Sequence, residues 1–274
     1  MQLSVDRGTD RLAVNVFDRS DAETIIVIFP AMGVPAGYYT RFATALNDAG
    51  LSVAVADLRG NGESRPKPSK SSSYGYRQIA DDVAAVLQAL APYQERKRTI
   101  LLGHSLGGQA AMMHLSGSHA GVDGLILIAV GLPYWRTYGR QSLGVLGFLH
   151  GVNVVSAMLG YWPGWGFGGR QARRVMRDWA HTGRTGTFPP HLGVEDRLSG
   201  VTVPVLAISV DADQYTPART MDFTIAKLSS APVRREHLTS EAAGVALDHF
   251  KWVKAGEPLA KLIVDWLRAQ DLRE

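Results

Sequence analysis

The stretch that decides the fold is TILLGHSLGGQAAMMHL, residues 99–115. Residues 99–102 form a short apolar run that predicts a buried strand, and residues 109–115 have the composition of a helix. Between them, residues 103–107 fit the pattern G-x-S-x-G, with a further glycine at 108. Between a strand and a helix, this pattern holds its serine in a strained turn with the hydroxyl exposed, and the flanking glycines avoid collisions within the turn. Ser105 is therefore the candidate nucleophile.

The rest of the chain alternates short apolar runs with helical patterns. Apolar runs that predict strands lie at residues 12–17, 24–29, 52–56, 124–130 and 203–209. Most are apolar at successive positions, which is typical of strands covered on both faces. Helical spacing follows at residues 79–90 and 259–267, and after Thr216, a plausible N-cap with Pro217 behind it. The alternation predicts an α/β fold with a mostly parallel sheet flanked by helices.

A serine hydroxyl needs a base before it becomes a good nucleophile. Among the eight histidines, only His249 combines a late position, a loop setting and a place beyond the last predicted strand, residues 233–238. His104, inside the turn, is expected to point away from Ser105. The carboxylate that orients the base is expected in the loop after residues 203–209, where Asp211 and Asp213 are both candidates. Asp213 is favoured because Asp211 directly ends the strand and would more naturally cap the turn.

These motifs resemble those of the α/β-hydrolase superfamily, over nearly the whole chain outside residues 132–197. Residues 103–108 resemble its nucleophile elbow, and residues 57–64 its D-x-R-G-x-G-x-S loop. Asp213 and Pro217 resemble its acid loop, and His249 its histidine loop, in the expected chain order. The resemblance implies an eight-stranded fold, no cofactor or metal, and attack on an ester-like carbonyl. Residues 30–33 (PAMG) further resemble a group of bacterial α/β hydrolases of unknown substrate.

The predicted oxyanion hole departs from the commoner pattern. Most relatives carry His-Gly after the third strand, where this chain has Pro30-Ala31. Because the hole uses backbone N–H donors, loss of the histidine side chain need not remove it. By position, the donors are expected to be the N–H groups of Met32 and Leu106.

Residues 132–197 break the alternation and predict a largely helical cap between two core segments, residues 1–131 and 198–274. Trp135, Trp162 and Trp165 are its predicted substrate-binding residues. Residues 132–190 hold seven arginines against the single acid Asp178, and four of the arginines (170, 173, 174 and 177) are expected along one helix face. A cavity wall of tryptophan side chains with arginines around it would suit a substrate with an apolar body and an anionic part. The alternatives are a solvated helix face, a homodimer interface, an anionic carrier and an anionic membrane surface.

Composition excludes several other classes of function. The chain has no cysteine, so disulfides, zinc-thiolate sites and cysteine nucleophiles are ruled out. The net charge of +4 comes without a lysine or arginine block, so nucleic acid is not an expected partner. The N-terminus lacks a secretory signal, and glycines and Pro163 interrupt the uncharged residues 141–169. A cytoplasmic protein without an integral membrane segment is expected.

The motifs together predict hydrolysis of an ester, thioester or lactone of a small, partly apolar substrate through an acyl-Ser105 intermediate. An acyltransferase with the same triad is one alternative. A non-catalytic ligand-binding protein on the same fold is the other.

Overall fold

A computed structural model describes residues 1–271 of the chain. Strands form where the sequence alternates or is apolar at successive positions. Within the described residues they are β1 (Gln2–Arg7), β2 (Asp10–Phe17), β3 (Thr24–Phe29), β4 (Ser52–Ala56), β5 (Arg98–His104), β6 (Gly124–Ile128), β7 (Tyr161–Trp162), β8 (Gln171–Ala172), β9 (Val205–Val210) and β10 (Val233–Leu238).

Eight of these strands form one sheet in the order β1-β2-β4-β3-β5-β6-β9-β10. The β1–β2 and β2–β4 pairs are antiparallel, and every later pair in the sheet is parallel. The predicted fold class, an α/β-hydrolase sheet of eight mostly parallel strands, is confirmed. Strand β1 was not among the predicted strands, because apolar and polar residues alternate only weakly in its sequence QLSVDR. In the structure most of its side chains are exposed or half-buried.

Helices cover both faces of the sheet. They are α1 (Thr40–Asp48), α2 (Tyr76–Ala89), α3 (Ala91–Gln94), α4 (Leu106–Gly117), α5 (Ser142–Leu159), α6 (Arg173–Thr185), α7 (Ala218–Ile225), α8 (Ser240–Ala243) and α9 (Gly256–Asp271). Short 3-10 helices lie at Ala36–Tyr39, Trp135–Gln141, Pro190–Leu192, Glu195–Gly200 and Lys251–Lys254. Alternate residues of β3 enter two separate cores, Val27 with α2 and α4, and Ile28 with α1 and α9. This double burial explains why the parallel strands are apolar at successive positions.

Between β6 and β9, where the cap was predicted at residues 132–197, the chain holds the helices α5 and α6. Helix α5 packs against α6, and the two-residue strands β7 and β8 pair antiparallel between them. Helix α6 begins at Arg173, so Arg170 does not share its face, contrary to the prediction. Instead, the Arg170 guanidinium lies over the ring of Tyr161, 4.8 Å from its centroid.

One cap segment, Trp135–Leu159, is long and apolar enough to cross a membrane by length and composition, with a mean hydropathy of 1.6. In the structure its inner face is buried, through Leu149 and Val152, in the same core cluster as α6 residues. Only 17% of the apolar segment is buried, so it is not a core helix, and one such helix is weak evidence of a span. The absence of an integral membrane segment stays a prediction.

Candidate active site

Ser105 lies at the sharp turn between β5 and α4. Its backbone has φ 52° and ψ −117°, a strained conformation for a residue with a side chain. The glycines on either side make the turn possible. A Cβ on Gly103 would lie 2.2 Å from the Cα of Gly108, and one on Gly107 would lie 1.9 Å from the carbonyl oxygen of Phe29. The turn therefore has the steric form that the sequence pattern predicted.

His249 and Asp213 form a buried pair. The Nδ1 atom of His249 lies 2.9 Å from Oδ2 and 3.0 Å from Oδ1 of Asp213. Both side chains are almost completely buried, at 5% and 1% exposure. Because a carboxylate only accepts hydrogen bonds, Nδ1 carries the proton and Nε2 of the neutral ring is left as an acceptor.

The loop around Asp213 keeps its carboxylate ionised. Burial raises the pKa of Asp213, but the hydrogen bond and charge of His249 and the hydrogen bonds from Thr216 outweigh burial and hold the pKa below its usual value. The Thr216 hydroxyl donates to Oδ2 at 2.7 Å, and the backbone N–H groups of Tyr215 and Thr216 donate to Oδ1. Thr216 thus contacts the carboxylate and does not cap α7, whose N-cap is Pro217.

Asp211, the other carboxylate candidate, points elsewhere. Its Oδ2 accepts the backbone N–H of Ser240 at 2.7 Å, and its Oδ1 lies 3.0 Å from Nε2 of His237. These contacts join the ends of β9 and β10, so Asp211 stabilises the turn as the sequence suggested.

A cavity of about 760 Å³ opens beside this pair. Ser105 and His249 both line it, as do Met32 and Leu106. The backbone N–H groups of Met32 and Leu106 have no acceptor among the described residues, so both are available to a bound oxygen.

The loop that carries Met32 is packed against the cap. A Cβ on Gly33 would lie 2.3 Å from the carbonyl oxygen of Gly168, and one on Gly168 would lie 2.7 Å from Sδ of Met32. Such contact requires glycine on both sides. The glycine-rich segment of the cap therefore fixes the position of this loop.

A hydroxyl that the sequence did not single out joins the Met32 loop to the elbow. The Tyr39 oxygen accepts the Ala31 N–H at 2.9 Å and lies 2.7 Å from Nδ1 of His104. Nδ1 is the acceptor that the Tyr39 hydroxyl reaches among the described residues, so the hydroxyl donates to Nδ1 and the proton of the neutral His104 ring lies on Nε2. Burial, with the neighbouring His249, holds the pKa of His104 well below its usual value.

The three tryptophans predicted to bind substrate do not line the cavity. Trp135 is half-buried against the core, Trp162 is buried and donates its Nε1–H to the carbonyl of Phe167, and Trp165 is 65% exposed. The aromatic residues that line the cavity are instead Tyr138, Phe148, Phe167, Trp179, Tyr215 and Phe250. Composition identified an aromatic cap but not which rings face inward, because that depends on how α5 and α6 pack.

Arg140 lines the cavity on the side of the cap. Its guanidinium has no ion pair or hydrogen bond with any described residue. Within the described part of the chain, no group of three or more His, Asp or Glu residues has the arrangement to hold a metal ion.

Residues 20–178 match the family model Hydrolase_4, described as "Serine aminopeptidase, S33". The chain belongs to this family of α/β hydrolases. No protein with a curated description matches the sequence. The match covers β3, the elbow and most of the cap, and it establishes the protein as a hydrolase by family.

Solved structures agree in fold. A thioesterase domain from the curacin biosynthetic pathway has a TM-score of 0.65 at 17% identity, covering 96% of this chain and 99% of its own. A thermophilic esterase from Thermogutta terrifontis has a TM-score of 0.64 at 17% identity, covering 98% of each chain. The enol-lactonase from Burkholderia xenovorans LB400 has a TM-score of 0.62 at 15% identity, covering 98% of this chain and 100% of its own. At these identities the likeness shows the α/β-hydrolase fold alone.

Proposed function

We propose that this hydrolase cleaves an ester, thioester or lactone through an acyl-Ser105 intermediate, with His249 as base and Asp213 as the residue that orients it. The observation that carries the proposal is the buried pair of His249 and Asp213, of which His249 lines the same cavity as Ser105. A histidine buried in this way has its tautomer fixed, and a serine in a strained turn has its hydroxyl presented to a ligand.

The chemistry follows from the proton positions. Nε2 of His249 accepts the Ser105 proton as the hydroxyl oxygen attacks the carbonyl carbon, and the imidazolium that forms is stabilised by the ionised Asp213. The N–H groups of Met32 and Leu106 donate to the oxygen that becomes negative. His249 then returns the proton to the leaving group as the carbonyl re-forms. In the second half of the reaction His249 takes a proton from water, whose oxygen attacks the acyl-serine carbonyl. His249 then gives that proton to the Ser105 oxygen as the bond to the acyl group breaks and the acid is released.

The cavity wall indicates the substrate. Phe148, Phe167 and Trp179 offer an apolar surface, and Arg140 offers an unpaired cation beside it. We therefore propose a substrate with an apolar body and an anionic group, such as a carboxylate. The esterase, thioesterase and lactonase among the structural neighbours support the ester, thioester and lactone classes at the level of the fold.

Turnover of p-nitrophenyl butanoate by the wild type, Ser105→Ala and the matched control Ser118→Ala tests the proposal. Ser118 lies on the exposed turn after α4. We expect Ser105→Ala to lose at least about 10³-fold in kcat and Ser118→Ala to match the wild type. Equal turnover by Ser105→Ala would overturn the proposal. A wild type that binds esters, thioesters and lactones without turning them over would identify a binding protein, and release of a new ester when an alcohol is added would identify an acyltransferase.

A further inference from the structure

The solvent-facing half of helix α5 carries no formal charge. Within Ser142–Leu159, His150 is the one ionisable residue. The exposed positions of the helix are Leu143, Gly144, Gly147, Phe148, His150, Gly151, Val154, Ala157 and Met158. At about 100° per residue these positions cover one half of the helix circumference, so they form a continuous face. A helix on a soluble surface normally carries charged residues on such a face.

Large apolar side chains on this face are strongly exposed. Met158 is 79% exposed, Leu143 76% and Val154 52%, and Trp165, just beyond β7, is 65% exposed. We call these four residues, with Phe148, the apolar cap face. Contiguous apolar surface of this kind marks an interaction site on most soluble proteins.

Cations surround the apolar cap face at both ends of α5. Arg136 and Arg140 precede the helix and are exposed. At its far end, the side chain of Lys70 lies beside Gly160, and Arg170 and Arg173 are exposed on the segment that follows.

Residues 132–190 of the cap offer almost no negative charge, and its other acids, Glu195 and Asp196, follow after α6. Between residues 132 and 190 the sequence has one acid, Asp178. Its side chain is 2% exposed and paired with Arg177. The surface around the apolar cap face is therefore positive.

We infer that the apolar cap face docks on the surface of an anionic lipid bilayer, with α5 lying in the plane of the interface and the surrounding cations on the headgroups. The uncharged helix face would contact the boundary of the acyl chains, and the flanking arginine and lysine residues would contact the negative headgroups. A dimer through the same face would bring two positive rims together, so charge disfavours a second copy of the chain. The buried inner face of α5 keeps the helix on the membrane surface and not across it.

Docking would also place the mouth of the cavity against lipid. Gly144, Val145 and Phe148 of α5 line the cavity that contains Ser105. If the proposed function holds, the apolar body of the substrate then enters from the bilayer. The docking itself does not depend on catalysis.

Co-sedimentation with lipid vesicles tests the inference. Anionic vesicles of phosphatidylcholine and phosphatidylglycerol in equal amounts are compared with vesicles of phosphatidylcholine alone. We expect the wild type to bind the anionic vesicles at least about tenfold more tightly. The double variant Leu143→Gln/Met158→Gln should lose about tenfold or more in binding. The matched control Val233→Gln, an exposed apolar residue of β10, should bind like the wild type.

A second pair of variants tests the charge. Arg136→Gln/Arg173→Gln should bind anionic vesicles about 25-fold more weakly, since each basic residue near such a surface contributes about fivefold. The control Arg41→Gln/Arg268→Gln removes two exposed arginines of α1 and α9 and should change binding by less than threefold.

Docking is refuted if the wild type does not sediment with anionic vesicles, or if Leu143→Gln/Met158→Gln binds as well as the wild type. A dimer in solution that the same two substitutions dissociate would also overturn it, in favour of a self-association surface. Ser105→Ala separates the two proposals, because it should bind vesicles like the wild type whether or not Ser105 is the nucleophile.

Discussion

The hydrogen-bond donors around Asp213 determine how the side-chain amide of an Asp213→Asn variant would be oriented. In Asp213→Asn, the Oδ1 position faces the backbone N–H groups of Tyr215 and Thr216, at 2.9 and 2.7 Å. Those donors cannot turn, so the amide oxygen occupies this position and the NH₂ group takes the Oδ2 position, 2.9 Å from Nδ1 of His249. The amide oxygen still lies 3.0 Å from Nδ1, but an NH₂ group at 2.9 Å is repelled by a proton on Nδ1. We therefore expect the ring proton to move to Nε2, the atom proposed to accept the proton of Ser105.

We expect this wrong tautomer to lower kcat by about 10³–10⁴-fold. That loss corresponds to about 4–5.5 kcal/mol of transition-state stabilisation. The assay is steady-state hydrolysis of a p-nitrophenyl ester, with thermal unfolding of each variant to show that it is folded. The control is Asp211→Asn, whose contacts are with Ser240 and His237, and it should change kcat by less than threefold. The reasoning is refuted if Asp213→Asn stays within tenfold of the wild type, or if Asp211→Asn shows the larger loss.

Three further predictions concern the surroundings of the site. Tyr39→Phe leaves a buried backbone N–H and a buried imidazole nitrogen without partners, so the free energy of unfolding in urea should decrease by about 2–4 kcal/mol. The control Tyr38→Phe changes an exposed residue and should lower it by less than about 1 kcal/mol. Equal losses would refute the argument. His104 stays neutral in the folded state, while the unfolded state binds its proton below about pH 6.5, so stability should decrease as the pH is lowered. The wild type should lose about 2 kcal/mol more than His104→Gln when the pH is lowered from 7.5 to 5.0. Arg140→Gln should lower kcat/KM about tenfold or more for an ester bearing a carboxylate, and kcat/KM for a neutral ester should stay within twofold of the wild type. The control Arg136→Gln should change neither value. Equal effects of Arg140→Gln on both esters would exclude an anion subsite.

Much of the fold was predictable because its signals are local. The doubly buried strands are apolar at successive positions, and the elbow combines a strand, two obligatory glycines and a helix within 17 residues. Ser105, Asp213 and His249 come in the chain order expected for this fold, and loops at the carboxyl ends of parallel strands meet at one edge of the sheet.

What the sequence did not predict depends on contacts between distant segments. Thr216 precedes a proline and a helix as an N-cap residue would, yet its hydroxyl donates a hydrogen bond to the carboxylate of Asp213. The role of Tyr39 depends on bringing its hydroxyl to Ala31 and, 65 residues along the chain, to His104. No local pattern marks such a partner, because the hydrogen bond exists only after the sheet has formed.

The cap shows the same limit for apolar residues. Trp135, Trp162 and Trp165 were expected to bind substrate from composition alone, but the packing of α5 on α6 turns other rings inward. Phe148 and Trp179 line the cavity, while Trp165 lies largely in solvent. The inward face of an insertion is set by its tertiary contacts, since helical periodicity tells two faces apart without telling which one meets the ligand.

The central claim is that Ser105 is the activated nucleophile, and covalent labelling tests it most directly. Intact-protein mass spectrometry after treatment with a fluorophosphonate should show one adduct on the wild type, located to Ser105 by peptide sequencing. Ser105→Ala should remain unlabelled, and His249→Ala should label at least about 10²-fold more slowly. An adduct on another residue, or labelling of Ser105→Ala at the wild-type rate, would contradict the account.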